Sequence, residues 1–544
     1  LFGGLSNLVV ATKGGVVVHA FKRFGKHFVY DTESGSLLET SKLFYLLCKA
    51  ESAVGSAESA VGAESVLGGA ESSKQKCAGV SQLEKEIAKF TASELEQARR
   101  DIETLKVGEI LFVKPPDIKP QKLNRGLKAM CLHITHKCNL ACKYCFAESG
   151  EGLYGAADEC MSLAVGKRAI DFLIASSGAR QNLEVDFFGG EPLLNFEVLK
   201  AIVYYARGLE GKHSKKFNFT LTTNALALDK KHFDFLNTEI FNVVISIDGR
   251  ESVHNKVRNN SYKRVMDNAK AFVKARTSAR VAIENGASGS GATKKGSSKN
   301  YASENSRGGI KSYYIRGTFT AENLDFANDV LHIYKQGFSN ISLEPVVLKG
   351  GHRLEIKSEH LAQIDKEYER LGKAVAKINS EVSKGEISKK QTAENKALKN
   401  EAPKNANNKN QPLNFFHFNI DKFTGPCVEK RINACGAGTE YIAVTPNGDI
   451  YPCHQFAGFS EYLLGNVYDG LNKDKIYIGE KFLNTTVLDR LECEACFAKY
   501  HCSGGCFANS VVVNNNFYSV YRVGCEMFKS RLEVALALLS QKLM

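Results

Sequence analysis

The residues best able to do chemistry are three cysteines on one short stretch, Cys138, Cys142 and Cys145, within LHITHKCNLACKYCF. Their C-x3-C-x2-C spacing puts three thiols on one tight loop. A cubane iron–sulfur cluster normally takes four protein thiolates, so three leave one iron open to bind and reduce a ligand. Zinc sites favour C-x2-C pairs closing a set of four, which makes a zinc loop the poorer reading. Met130–Thr135 just upstream reads as a short buried strand. The loop therefore sits where strand-end loops carry chemistry in α/β folds.

The elements that must position this loop follow in order. Strand-like and helix-like runs alternate from Lys128. The strands are Met130–Thr135, Leu183–Phe188, Phe217–Thr223, Val243–Asp248, Tyr313–Thr320 and Asn340–Val347. Ser162 can cap a helix whose Leu163, Ala169, Ile170, Leu173 and Ile174 share a face, and Asn323–Tyr334 reads as another. Six such units imply a parallel sheet with helices outside, binding ligand at the carboxyl ends of its strands. The second strand runs into Gly189-Gly190-Glu191-Pro192, where glycines allow close backbone approach and a carboxylate can hold an ammonium. Asp186, Asp248 and Glu344 are candidate general bases, and nothing in the sequence selects one.

A second cysteine field lies near the C-terminus: Cys435, Cys453, Cys493, Cys496, Cys502, Cys506 and Cys525. Tyr441–Val444 and Ile450-Tyr451 flank Pro446-Asn447-Gly448-Asp449 and read as a tight hairpin, which brings Cys435 and Cys453 near one another. At the other end, Val16–Asp31 reads as a hairpin turning near Gly25-Lys26. Ser41–Lys49 reads as a short helix, Gln82–Leu105 as helical, and Glu109–Val113 as a short strand. Three biased stretches interrupt the chain. Residues 50–79 are small and repetitive, 284–312 are Gly/Ser-rich, and 371–412 are rich in Lys, Asn and Glu. Such segments are too poor in large apolar groups to build a core, though the start of the third has helical character.

The net charge is +13. Two of the biased stretches, Glu284–Ser312 and Glu381–Asn410, each contribute +3, so six of the thirteen charges lie in linker-like sequence. A solvated surface fits this better than a nucleic-acid groove. No run reaches the roughly 18 apolar residues that a membrane helix needs, and no signal segment opens the chain, so the sequence reads as cytoplasmic. Fifteen clustered cysteines argue for metal rather than disulfides.

The cysteine loop, the GGEP strand end and the C-terminal cysteine order together resemble the radical S-adenosylmethionine (radical SAM) enzymes with a SPASM extension. Details such as VDFFGGEPL, YYIRGTFT, ISLEPVV and CSGGC look closest to the maturases of SCIFF peptides. The resemblance implies an α/β fold. A partial (β/α)6 barrel over 125–370 would carry a winged-helix-like peptide-recognition unit (1–115) before it. A linker (371–412) and a SPASM domain (413–544) would follow. It implies S-adenosylmethionine and three 4Fe-4S clusters, one on Cys138, Cys142 and Cys145. Cys493, Cys496, Cys502 and Cys525 would hold one auxiliary cluster. Cys435, Cys453 and Cys506 would hold the other, with Cys427 the available fourth ligand. S-adenosylmethionine would meet Gly189, Gly190 and Glu191 through its amino group, Arg316 through its carboxylate, Ser246 near the ribose and Tyr144 at the adenine. The implied activity is thioether formation in a cysteine-rich precursor peptide bound through its leader, with a flavodoxin or ferredoxin as electron donor. Alternatives are formylglycine formation as in sulfatase maturases, a carbon–carbon peptide cross-linker, and a non-catalytic peptide-binding metal scaffold.

Overall fold

The computed structural model describes residues 16–60, 82–115, 126–147, 159–286, 312–385, 411–420, 431–433 and 435–541. Near the N-terminus, β1 (Val18–Arg23) and β2 (Lys26–Asp31) form the expected hairpin. Its turn residues Phe24 and Gly25 both have positive φ, 56° and 78°, as a two-residue hairpin turn of this hand requires. An unexpected third strand, β3 (Leu37–Thr40), pairs antiparallel with β2. Asp31 sets the turn between them, its Oδ1 accepting the Glu33 and Ser34 N–H groups at 3.0 and 2.8 Å.

Three expectations for this unit are corrected. The first helix, Lys42–Ala60, continues into the small-residue segment, whose alanines and glutamates favour helix; residues 61–79 of that segment lie outside the described residues. The helical stretch expected over Gln82–Leu105 is two pieces, residues 82–87 and Ala92–Val107. Thr91 starts the second with a reciprocal capping box to Glu94. Glu109–Val113 is not a strand. Glu109 and Phe112 have positive φ, and the bend buries Leu111 completely against Phe44, Cys48 and Ile102.

The central sheet holds six parallel strands in sequence order: β4 (Ala129–Thr135), β5 (Asn182–Gly189), β6 (Lys216–Thr223), β7 (Asn242–Ser246), β8 (Ser312–Phe319) and β9 (Asn340–Pro345). Residues alternate between the two faces of each strand. On β4, Met130, Leu132 and Ile134 join Ala169, Ile170 and Leu173 of helix Leu163–Ser176 in one buried cluster. Each such fully buried side chain contributes about 1.5–3 kcal/mol. Ser162 caps that helix through Val165 N at 3.2 Å. The helix expected from Asn323 begins only at Ala327, because the Asn323 side chain accepts Thr320 N at 2.8 Å instead.

The C-terminal residues do not form a separate body. The hairpin β11 (Tyr441–Val444) and β12 (Asp449–Tyr451) adds to the sheet, β11 running parallel to β4. At the opposite edge, β10 (Asn414–Phe415) pairs with β9. Two short strands, β13 (Gly465–Asn466) and β14 (Gly470–Leu471), complete eleven. The boundary expected at 370 falls inside one helix, Leu361–Ser383. That helix packs on the C-terminal helix Arg522–Gln541. Of the other two biased stretches, 287–311 and 386–410 lie outside the described residues.

Candidate active site

The cysteine loop leaves β4 and is fastened by the end of β5. Gly190 N donates to Thr135 O and Glu191 N to Lys137 O, each at 2.8 Å. Gly189 has φ +116°, and a Cβ there would lie 2.3 Å from Thr135 O; a Cβ at Gly190 would lie 2.2 Å from Lys137 O. The glycines thus allow strand end and cysteine loop to touch. The Glu191 carboxylate is tied into the same contact. It is fully buried and accepts Leu193 N at 3.0 Å, Thr223 Oγ1 at 2.8 Å and Asn224 N at 2.7 Å. Three of its roughly four acceptor positions are thus taken by its own loop and by the end of β6. Burial pushes this carboxyl up to about 7, against those three donors.

Two residues absent from the expected site, Asn224 and Arg258, support the loop together with the candidate base Asp248. Asn224 Nδ2 donates to Asn139 Oδ1 at 2.8 Å and lies 3.7 Å from Cys138 Sγ. Arg258 Nη1 lies 3.7 Å from Cys142 Sγ, and its Nε donates to Asp248 Oδ2 at 2.8 Å. Tyr144 OH donates to the same oxygen at 2.7 Å, and Thr318 N to Asp248 Oδ1 at 3.0 Å. Asp248 thereby ties the loop to β7 and β8. Nothing in its spacing marks Arg258, whereas Asn224 and Asp248 stand just beyond two parallel strands, where ligand-side residues fall.

A cavity of about 970 Å³ opens beside the loop. Tyr144, Phe146, Ser246, Arg258 and Arg316 line it, and so do Cys502, Cys506 and Cys525. Of the residues expected to meet S-adenosylmethionine, Tyr144, Ser246 and Arg316 are therefore on its wall. Gly189, Gly190 and Glu191 are not among its lining residues. Of the candidate bases, Asp248 is spent on the contacts above. Glu344 lines the cavity but pairs with His417 at 3.0 Å; although burial opposes it, that partner holds the carboxyl well below the usual carboxylate range. Asp186 lies below the cavity wall, pushed up to about 6 by burial.

The thiols fall into three neighbourhoods. Burial raises Cys138 to about 11, with Glu191, Cys142 and Cys145 adding. Burial raises Cys453 to about 12, with Cys506 and Cys435 adding. Burial raises Cys502 to about 12 as well, with Cys525, Cys493 and Cys496 adding. Cys427 lies outside the described residues. Among the described residues no three His, Cys, Asp or Glu side chains converge to grip a single metal ion. In a multi-iron cluster each thiolate takes a different iron. A coordinated iron would also supply the charge that deprotonates such raised thiols.

Fold and site together define an α/β parallel-sheet protein with a three-cysteine loop at the mouth of the sheet. Residues 132–283 match the family model of the Radical SAM superfamily, so the chain carries a radical SAM domain. It is 32% identical over 141 residues to a GTP 3′,8-cyclase of Corynebacterium glutamicum, 25% of this chain and 36% of the cyclase. It is 24% identical over 157 residues to a cysteine-type anaerobic sulfatase-maturating enzyme of Clostridium novyi, 27% of this chain and 40% of that enzyme. The chain thus spans less than half the length of these curated relatives. Among solved structures, native anSMEcpe with bound AdoMet superposes with TM-score 0.53 at 17% identity, covering 77% of this chain and 100% of that one; the likeness is one of fold. Among the described residues, no helix is long and apolar enough to cross a membrane.

Proposed function

We propose that the chain is a radical SAM enzyme that forms thioether cross-links in a cysteine-rich precursor peptide. The observation that carries this reading is the shared cavity. One chamber of about 970 Å³ is lined both by the three-cysteine loop's Tyr144 and Phe146 and by three C-terminal cysteines, Cys502, Cys506 and Cys525. A chamber at the upper end of the usual ligand range admits a peptide turn. It can present a substrate carbon to one cysteine group and a substrate thiol to the other.

When loaded, the cluster on Cys138, Cys142 and Cys145 and its S-adenosylmethionine supply one-electron hydrogen abstraction. The chain's own residues orient and enclose. Asp248, Arg258 and Asn224 fix the loop, Arg316 meets a carboxylate, and the cavity wall excludes water. Cys493, Cys496, Cys502 and Cys525 would hold one auxiliary cluster, and Cys435, Cys453 and Cys506 the other, with Cys427 or a substrate thiolate as its fourth ligand. In the N-terminal unit, among the described residues, β3 pairs with β2 and with no other strand. Its open edge suits a leader peptide added as a further strand. A flavodoxin or ferredoxin would supply electrons.

The second reading is formylglycine formation, favoured by the sulfatase-maturating relative and by the anSMEcpe fold, which has also been solved with AdoMet and the Kp18Cys peptide. Anaerobic reconstitution, followed by S-adenosylmethionine, dithionite and synthetic cysteine-rich peptides, separates the two by mass analysis. A thioether removes two hydrogens and keeps the sulfur, with loss of one free thiol. Formylglycine loses the sulfur and gains a carbonyl. Absence of 5′-deoxyadenosine from iron-loaded protein rejects both.

A further inference from the structure

The strip of chain that carries Cys493, Cys496 and Cys502 is gripped from one side by the N-terminal sheet. Lys499 stands three residues from both Cys496 and Cys502. Its side chain is 4% exposed, and its Nζ lies 2.7 Å from Oε1 of Glu33, whose side chain is 1% exposed. The contact is ionic, since Glu33 Oε1 accepts no hydrogen bond of good angle. Tyr500 OH donates to the other oxygen, Oε2, at 2.9 Å. Neutral contacts surround this pair. Thr32 Oγ1 donates to Phe497 O at 3.3 Å, and Tyr30 OH meets His501 Nε2 at 3.0 Å. The His19 ring stacks on Phe497 at 3.6 Å, nearly parallel. Glu33 itself is fixed, because Asp31 Oδ1 accepts its N–H at 3.0 Å.

We propose that Glu33 is a positioning residue for the second cysteine group. The N-terminal sheet, besides any peptide it binds, holds the strip bearing Cys496 and Cys502 in place through the Glu33–Lys499 pair. The proposal rests on the reading that Cys493, Cys496, Cys502 and Cys525 hold an iron–sulfur cluster. The physical reason is an asymmetry. Removing one partner of a buried ion pair strands the other charge without solvent, whereas replacing both by neutral groups is tolerated. A stranded Lys499 ammonium must move outward to regain water, and it takes the intervening turn with it. The recognition unit is then an integral wall of the metal site rather than a detachable module.

The test compares full-length wild type with Glu33→Gln, Lys499→Met and the double variant after anaerobic reconstitution. Each single variant is expected to lose the iron of the second group, about one third of the total if three cubanes are present. Both should retain 5′-deoxyadenosine formation, which depends on the cluster of Cys138, Cys142 and Cys145. In iron-free protein, iodoacetamide should modify Cys496 and Cys502 about tenfold faster in the single variants, through local opening. The double variant should restore iron content and thiol protection. Singles with full iron and unchanged alkylation overturn the proposal, as does a double variant no better than the singles. Should a single variant not fold, the double decides, since pairing requires it to fold and to bind wild-type iron. The underlying cluster reading fails separately, if Cys493→Ala/Cys502→Ala leaves the iron content of otherwise wild-type protein unchanged. The alkylation comparison still tests Glu33 in that case.

Discussion

Cys138, Cys142 and Cys145 fall within eight residues, while Cys493, Cys496, Cys502 and Cys525 spread over 33. The first group is held by the ends of adjoining parallel strands. Thr135 and Lys137 carbonyls take the N–H groups of Gly190 and Glu191, and Asp248 reaches back from the end of β7 to Tyr144 and Arg258. The second group is shaped by short turns and by the distant N-terminal sheet, through Glu33 and His19. A site built on strand ends inherits its geometry from the sheet ladder. A site built on turns must recruit partners from far along the chain. Variants that damage one region and spare the other therefore test whether the two are independently supported.

The largest effect should come from Cys138→Ala/Cys142→Ala/Cys145→Ala. Deoxyadenosine formation should fall to background, with loss of about four of about twelve irons. Iron retained by the C-terminal groups would show that they assemble without the loop; a collapse of all iron would join the two regions.

Asp248→Asn comes next. It leaves the Arg258 side chain, 10% exposed, without its buried counter-charge. A loss of about 3–5 kcal/mol is expected, read by urea unfolding of metal-free protein. Gly189→Ala should cost about 2–4 kcal/mol, combining forced contact with Thr135 O and a left-handed backbone for alanine. Alkylation of Cys496 and Cys502 should be unchanged in the folded state of both variants.

Glu191 gives a pH signature specific to the first region. Burial pushes its carboxyl up to about 7 in the folded state, from an ordinary value of 4.5. The folded protein therefore holds a proton that the unfolded chain has released between these values. Stability from this group falls as pH rises from about 4.5 to about 7, by about 3 kcal/mol, and is level above. Asp186, raised to about 6 by burial, acts in the same direction. Histidines lowered by burial, such as His254 at about 4, act in the opposite one. The informative quantity is thus wild type minus Glu191→Gln, measured by urea unfolding at pH 5 and pH 7.5. A difference that does not change with pH would mean that the carboxylate is not burdened by burial.

What was legible in the sequence follows the same division. All six parallel strands fall within one or two residues of where the apolar pattern places them, because the face packed on the helices demands apolar residues at regular spacing along each strand. Ser162 as a cap was readable for a similar local reason. The pairing of β11 with β4 was not, since parallel partners more than three hundred residues apart share no local signal. β3 has only four residues, too few to show a period. Glu191 was recognisable as special, but its direction was not: the donors that claim its carboxylate, Thr223 and Asn224, come from a different strand end. Arg258 was invisible because its role depends on a cysteine and an aspartate that the fold alone brings near it.

Tyr144→Phe is the mildest of these changes and separates two roles that one residue combines. The hydroxyl gives one hydrogen bond to Asp248 Oδ2, while Arg258 and Thr318 N continue to satisfy that carboxylate. Loss of the hydroxyl should therefore cost only about 1–2 kcal/mol, seen as a small fall in the unfolding midpoint of metal-free protein. The ring stays on the cavity wall, with the Arg258 guanidinium 5.5 Å from its centroid. If the ring is the surface that meets the adenine, equilibrium dialysis of reconstituted protein should find S-adenosylmethionine binding preserved in Tyr144→Phe and weakened about tenfold or more in Tyr144→Ala, where stacking area is lost. Equal weakening in both variants would place the hydroxyl, and hence the Asp248 tether, at the origin of cofactor affinity. The strand-end support would then act on the ligand as well as on the loop.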